Sequence, residues 1–448
     1  MPYSKSGGSS TLIKNGTVVT QNPRRRIFRG DTFIENGRIA AVGEGAGTKE
    51  KAEHVIDASG DFVLPGLVNI HTHAPMSILR GYGDDMPLEQ WLNKKIWPAE
   101  AKFNPEIIRA GTDLALAEMI SSGTTSFADM YFFEDEIAEQ TERAGMRGFL
   151  AETVIDFDTP DGKANDKFRR CESFVRRWKR RGNGGEGSAL ITPVVAPHSS
   201  YTCSPETLAK CAELAGKYGV LIHTHCSETR KEVYDVQRRY GARPIEHFEK
   251  CGILGKRTIL AHCGWITKAE VRAIAKAGAS VAHCPVSNMK LATGGYAPLP
   301  EMFDVEGNVG LGTDGAASNN TLDMFETMKF CALLYKQHRW DPTIMGAQKV
   351  LDLATLGGAA ALRRSDLGSI EPGKAADVII VDGKRPNMVP AYNPVSNLVY
   401  AANGACVKTA IVNGRILMQD RKFKTLNVEK VLEKAGKAAE KFGGCAQR

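Results

Sequence analysis

The tripeptide His71-Thr72-His73 ends the apolar run 62–70 (FVLPGLVNI). A run so rich in aliphatic and β-branched residues predicts a buried strand, and side chains two apart on a strand share a face. Two neutral imidazoles leaving one strand end on one face are a natural ligand pair for a first-row divalent metal. Polar residues able to do chemistry also end later apolar runs: His198, then His223, His225 and Glu228, then His262, His283 and Asp314. Seven of the chain's 10 histidines fall at such ends. One histidine on an apolar strand is ordinarily a hydrogen-bonded core residue, but seven such accidents are a poor account of this pattern. His223 shares a face with His225 one layer deeper and is expected to pack behind the ligands. His283 either lines the pocket or supports its wall. His54, His247 and His338 lie in surface-like segments and are assigned no role.

These side chains must be carried by a scaffold. Eight runs read as strands, at 67–70, 125–130, 148–155, 189–196, 220–225, 258–262, 280–283 and 309–312, with helical patterns between them. The clearest helix is predicted over 105–121, with Asn104 as its N-cap, Pro105 in its first turn and Gly123 just past its end. Alternating β and α over roughly 300 residues predicts a parallel sheet, and eight strands predict a closed (β/α)8 barrel of the TIM type. Such barrels gather reactive groups at the carboxyl ends of their strands. A doubly wound open sheet is the alternative, but no Gly-x-Gly-x-x-Gly follows any of these runs.

Both ends of the chain carry short alternating strands, at 11–20 and 31–42, and again at 376–382 and 408–418. Asn15-Gly16, Asn36-Gly37 and Asn413-Gly414 read as the tight turns of hairpins. One small β-sandwich domain built from both termini follows. The expected organisation is 1–66 as its first part, 67–368 as the barrel, 369–425 as its second part, and 426–448 as a final helix, strongest over 428–442.

Composition narrows the class. A length of 448 residues, 42% hydrophobic and 24% charged, is that of an ordinary soluble globular protein. The net charge of +7 is modest, and much of it sits in Arg24-Arg25-Arg26 and in 167–181. The second stretch fits one amphipathic helix with Phe168, Phe174, Val175 and Trp178 inward and a solvated basic face, so no nucleic acid is expected as a partner. The 10 cysteines form no Cys-x-x-Cys pair, and the polar start at 1–10 is no secretory signal, so reduced thiols and a cytoplasmic location are expected. Cys226, Cys263 and Cys284 each follow a strand-end histidine and should face outward as small buried residues. No stretch approaches membrane-spanning length.

Further segments join the strand ends in a recognisable set: 64–76 (LPGLVNIHTHAPM), 79–81 (LRG), 96–100 (IWPAE), 198–206 (HSSYTCSPE), 225–229 (HCSET), 261–263 (AHC) and 312–320 (GTDGAASNN). On these the chain resembles the amidohydrolase superfamily, and within it the deaminases of 5′-methylthioadenosine and S-adenosylhomocysteine, a group that includes 5′-deoxyadenosine deaminases. The resemblance runs from Leu64 to about Asp420. It implies that His71, His73, His225 and Asp314 hold one divalent metal, usually zinc, with iron or manganese as alternatives. No lysine ends the fourth strand, where relatives with two metals carry a carboxylated one, so a mononuclear site is implied. Asp314 is implied to take the proton of the attacking water, Glu228 to shuttle a proton to the purine ring, and His262 to orient the attacking oxygen. Glu100 is implied to hold the two ribose hydroxyls and His198 to contact the substrate. Trp91 is either an apolar wall of the pocket or a packed loop aromatic.

The implied reaction is hydrolytic deamination at C6 of a 5′-substituted adenosine, giving the inosine analogue and ammonia. A small-molecule substrate and a homo-oligomer are expected. The alternatives are a guanine-type deaminase or an s-triazine amino- or chlorohydrolase, and, in another class, a non-catalytic structural homologue. Glu100 separates the first two readings from the nucleoside reading, because a triazine has no diol to hold. The chain departs from the pattern at one place. Relatives accepting S-adenosylhomocysteine bind its carboxylate with two arginines, and Glu152 and the segment Asp161-Gly162-Lys163 stand there instead. Repulsion by Glu152 is therefore expected to make S-adenosylhomocysteine a poor substrate.

Overall fold

The computed structural model describes residues 10–47, 50–182 and 190–444. The polar start up to residue 9, position 189 of the expected fourth strand and residues 445–448 lie outside them.

Eight parallel strands follow one another around a barrel: Leu67–Thr72, Thr124–Tyr131, Arg147–Val154, Ile191–Pro197, Leu221–Cys226, Thr258–His262, Ser280–His283 and Asn308–Leu311. Each pairs in parallel with the next. The seam between the eighth strand and the first is drawn together just beyond the ladder. Asp314 N–H donates to the His71 carbonyl at 2.9 Å. The Asn69 side chain donates to Thr313 Oγ1 at 2.7 Å and accepts from Thr313 N–H at 3.1 Å. Strand alternation sorts the core into two. Val68, Ile70, Ala128, Met130, Phe149 and Ala151 fill the barrel interior with others, while residues one position away pack under the helices. Cys226 and Cys263 belong to that outer layer, behind the inward-facing His225 and His262.

The helix Pro105–Ser121 begins where Asn104 accepts from Ile107 N–H, which satisfies one of the orphan donors of its first turn. The last helix, Val428–Glu440, packs against it. The basic stretch lies in the helix Ala164–Gly182, whose Phe174, Val175 and Trp178 are buried. Its outer cations meet acids on the helix Glu134–Ala144, for example Arg181 with Glu142 at 2.9 Å. Phe168 is half-buried, and Lys167, expected on the solvated face, is buried instead. Among the described residues no helix is long and apolar enough to cross a membrane.

The strands of both termini form one hydrogen-bonded path, Lys422–Phe423, Arg415–Gln419, Val407–Val412, Val378–Val381, Phe62–Pro65, Ser10–Val19, Ile27–Glu35 and Arg38–Gly43, with His54–Asp57 beside Ser10–Val19. The sheet curls on itself, so that Ile34 and Ile39 from one end share a core with Val378, Ile380 and Ile411 from the other. The turns Asn36-Gly37 and Asn413-Gly414 meet there. A Cβ on Gly37, whose φ is +75°, would lie 2.9 Å from the Asn413 carbonyl oxygen, so only glycine fits the turn and the contact. Asn15-Gly16 is not a hairpin turn. It lies inside the strand Ser10–Val19, where the register with the next strand shifts between Ile13 and Gly16. Asn15 has φ 63°, the geometry of a bulge rather than of a chain reversal.

One buried ion pair joins the barrel to this domain. Arg147, at the start of the third barrel strand, donates from Nε and Nη2 to Asp377 Oδ2 and Oδ1, both at 2.9 Å, and Asp377 Oδ1 also accepts from Asn413 N–H. Arg147→Ala leaves the Asp377 charge buried, and is expected to cost about 3–5 kcal/mol of stability. Urea unfolding checks this, and a loss below about 1 kcal/mol would show the pair to be dispensable.

Candidate active site

The first strand delivers His71 and His73 onto one face, the fifth delivers His225, and the turn after the eighth delivers Asp314. Asp314 Oδ1 lies 3.5 Å from His71 Nε2 and 3.3 Å from His73 Nε2. His73 Nε2 and His225 Nε2 are 3.3 Å apart. All three Nδ1 atoms are engaged from behind: His71 with His223 Nε2 at 2.9 Å, His73 with the Met130 carbonyl at 2.8 Å, and His225 with the His198 carbonyl at 2.8 Å. A carbonyl only accepts, so Nδ1 of His73 and His225 carries the proton and each Nε2 keeps its lone pair for the centre. His71 Nε2 is fully buried with no hydrogen-bond partner. Burial lowers the His71 pKa to about 4 and that of His225 well below its usual value, so both stay neutral. Burial opposes ionisation of Asp314, yet the adjoining His71 and His73 hold its carboxyl well below the ordinary range. Asp314 Oδ2 accepts from Ser287 Oγ at 2.6 Å and Ser318 Oγ at 2.8 Å.

Three imidazoles and one carboxylate, aimed inward and oriented from behind, are the donor set of a divalent-metal site that leaves a position for water. The orphaned His71 Nε2 is the observation that tests this fit. A buried ring nitrogen without a partner is costly unless an ion takes its lone pair.

Around this cluster lie the remaining candidates. Glu228 is half-buried beside it. Its own N–H and that of Ser227 donate to Glu232 at 2.8 and 2.9 Å, fixing the turn that presents it. Burial raises the Glu228 pKa. His262 donates from Nδ1 to Asn288 Oδ1 at 2.9 Å. Burial works against its protonation, but Glu228 and Asp314 outweigh this and its pKa is raised. Glu100, on the short helix Trp97–Glu100, is buried and accepts from the Tyr131 hydroxyl, and burial raises its pKa to about 7. His198 pairs through Nδ1 with Thr202 Oγ1 at 2.9 Å, and burial lowers its pKa to about 3. Trp91 is buried in the wall.

Glu100, His198, Trp91, Glu228, His262, His73, His225 and Asp314 all line one cavity of about 370 Å³, and His71 sits beneath it, in edge contact with His73 and His225. The cavity's charged lining residues are Glu100, Asp158, Glu228 and Asp314, with no lysine or arginine among the described residues that line it. The rest of the wall is largely apolar, including Met76, Leu88, Leu92, Trp97 and Phe157.

Other expectations are settled differently. His283 lines a separate cavity of about 200 Å³ with Asn288 and Tyr296, and no part of the main one. His247 is buried and stacks on Tyr240 with centroids 4.2 Å apart, rather than lying at a surface. Glu152 does not face the cavity. It turns outward to Arg170 at 3.0 Å and accepts from Glu134 N–H at 2.9 Å, while its neighbour Thr153 lines the cavity. Glu152 is therefore not placed to repel a ligand in the cavity. Strand alternation carries the signal, since Ala151 points inward and position 152 must point out. Tyr131, Asn288, Ser287, Ser318 and Glu232 orient the site and are absent from the sequence-derived set. Tyr131 alone has a signal, as a polar residue closing the second strand.

Comparison with known proteins agrees with this geometry. Residues 62–417 match the amidohydrolase family. The chain belongs to that family. Among its curated relatives, this amidohydrolase is 44% identical over 434 residues to a 5-methylthioadenosine/S-adenosylhomocysteine deaminase of Syntrophobacter fumaroxidans, covering 96% of this chain and 97% of the relative. It is 44% identical over 432 residues to a 5′-deoxyadenosine deaminase of Methanosarcina mazei, covering 96% and 98%. Among solved structures it superposes with a TM-score of 0.92 on a zinc-bound adenosine deaminase of Xanthomonas campestris, at 34% identity, covering 97% of this chain and 99% of that one.

Proposed function

We propose that this amidohydrolase is a metal-dependent deaminase converting an adenosine with a small 5′ group (5′-deoxyadenosine, 5′-methylthioadenosine or adenosine) to its inosine analogue and ammonia. The observation that carries this reading is the placement of Glu100, anchored by Tyr131, in the same cavity as Glu228 and the His/Asp cluster. One carboxylate is placed to accept two ribose hydroxyls and the other to serve the purine ring. The names of the relatives point the same way.

His71, His73, His225 and Asp314 would hold one divalent ion per chain, and three imidazoles with one carboxylate suit zinc. Such an ion supplies Lewis acidity that brings the pKa of a water near neutrality. Asp314 takes the water's proton. Glu228, whose pKa burial raises, passes a proton to the ring nitrogen beside C6, which makes that carbon electrophilic. His262 steadies the oxygen that adds to C6, and a proton returned to the amino group lets ammonia leave. S-adenosylhomocysteine fits less well because no lysine or arginine among the described residues lines this cavity to pair with its carboxylate. Ammonia release across adenosines, guanine and s-triazines tests the reading, with turnover expected only for the adenosines. Turnover of guanine or a triazine above that of every adenosine would replace it.

Glu100 separates these outcomes at one residue. Glu100→Ala is expected to raise KM for 5′-deoxyadenosine about 10- to 100-fold, as for loss of a charged hydrogen-bond acceptor. In the wild type, Glu100 takes up a proton as pH falls through about 7 and ceases to be a double acceptor. KM should therefore rise on the acid side of neutrality in the wild type and stay flat in the variant. Equal nucleoside KM values for the two enzymes would remove Glu100 from the ribose site.

A further inference from the structure

The helix Ala164–Gly182 buries a lysine that neither the metal cluster nor the cavity uses. The Lys167 side chain is 1% exposed. A lysine so buried is costly unless its charge is paired and its protons are accepted. Lys167 Nζ donates to the Asp161 carboxylate and to the Thr159 hydroxyl, and it lies 5.4 Å from the centroid of the Phe132 ring. Arg170, one turn along the same helix, reaches Asp161 Oδ2 at 3.2 Å and Glu152 Oε1 at 3.0 Å from its Nε. Asp161 is thus gripped by two cations of one helix, and Glu152 ties that grip to the third barrel strand.

What the grip holds is the wall of the cavity. Thr159 and Gly162 exchange both backbone hydrogen bonds, at 3.0 and 3.1 Å, which close the turn that carries Asp161. Phe157, Asp158, Thr159 and Pro160 line the cavity, and so does Phe132 on the other side of Lys167. Phe157 meets Trp97, in the helix that carries Glu100, with centroids 6.0 Å apart. Lys167, Asp161 and Arg170 line no part of the cavity themselves.

We propose that Lys167 is a positioning residue for substrate binding, clamping the 157–160 wall through Asp161 and Thr159 and backing the Phe132 ring. This rests on the adenosine reading of the cavity. The clamp acts on binding and leaves the reacting atoms untouched, so its loss should appear in KM rather than kcat.

The test uses the metal-loaded full chain. Lys167→Met alone strands the buried Asp161 charge and could unfold the protein, so the deciding variant is the double change Lys167→Met with Asp161→Asn, which removes both charges. Metal content and melting temperature establish that it folds. KM and kcat for 5′-deoxyadenosine are then measured, with the Kd of the product analogue 5′-deoxyinosine by calorimetry as a readout independent of turnover. The folded double variant is expected to show KM and Kd raised about tenfold with kcat within about twofold of wild type. Unchanged KM and Kd, or a fall in kcat at constant KM, would overturn the clamp while leaving the adenosine reading intact. A wild-type enzyme that neither binds nor deaminates any adenosine overturns the adenosine reading, and the clamp with it.

Discussion

Glu228→Gln is expected to lower kcat for 5′-deoxyadenosine by about 10²–10⁴-fold, the range for loss of a positioned general acid or base. Glutamine keeps the length of the side chain and its hydrogen bonding but cannot release or take up a proton. The turn that presents the residue depends on Glu232, through the N–H groups of Ser227 and Glu228, so the substitution should leave the local backbone in place. His71, His73, His225 and Asp314 are likewise untouched, and metal content should match the wild type. The signature is therefore a collapse of kcat with KM and bound metal preserved. Ammonia release and metal analysis on one preparation check both, and a kcat within tenfold of wild type would move the proton shuttle elsewhere.

Asp314→Asn is expected to have a comparable effect for a different reason. Asp314 is the anionic member of the cluster, 3.5 and 3.3 Å from His71 and His73, and it is placed to take the proton of the water. Asparagine keeps the shape but removes the charge that balances a divalent ion. Metal affinity should fall by more than about 10²-fold, exceeding the loss typical of residues that merely support ligands. The protein should then lose its metal on dialysis, and its turnover with it. Excess metal should restore occupancy without restoring full activity, because no carboxylate remains to accept the proton. Full metal retention after dialysis together with near-wild-type turnover would remove Asp314 from the centre.

The residues named in these tests are legible in the amino-acid sequence because their signals are local. His71-Thr72-His73 follows its own strand, and Asn104 stands directly before the helix it caps. Orientation is legible only where alternation is counted through to the end of a strand. Counting places Cys226 outward, and it also turns Glu152, one residue from the inward Ala151, away from the ligand it was expected to repel. Cys263 reaches the outer layer although Ala261 points inward, because His262 and Cys263 take left-handed backbone, φ 71° and 53°, and break the alternation. The partners that the site's supports take are not legible, even for Tyr131, whose place at a strand end is. Asn288 meets His262 across 26 positions and Tyr131 meets Glu100 across 31, and nothing local in an asparagine or a tyrosine says which partner it will find. Lys167 escapes for a related reason. A basic amphipathic helix reads as solvated on its charged face, and only the loop folding over it takes one lysine out of water.

The barrel seam is closed by chain segments that lie far apart in the sequence. The groups that close it, Asn69 and Thr313, are 244 positions apart, and the same two chain segments supply His71, His73 and Asp314. Contacts so distant raise the contact order of the fold and add a loop-closure entropy that must be met before they form. A chain that has assembled seven strands but not docked the eighth has imidazoles without their carboxylate, so nascent or partly folded forms cannot gather the full donor set. Catalytic competence is thereby tied to complete closure of the ring.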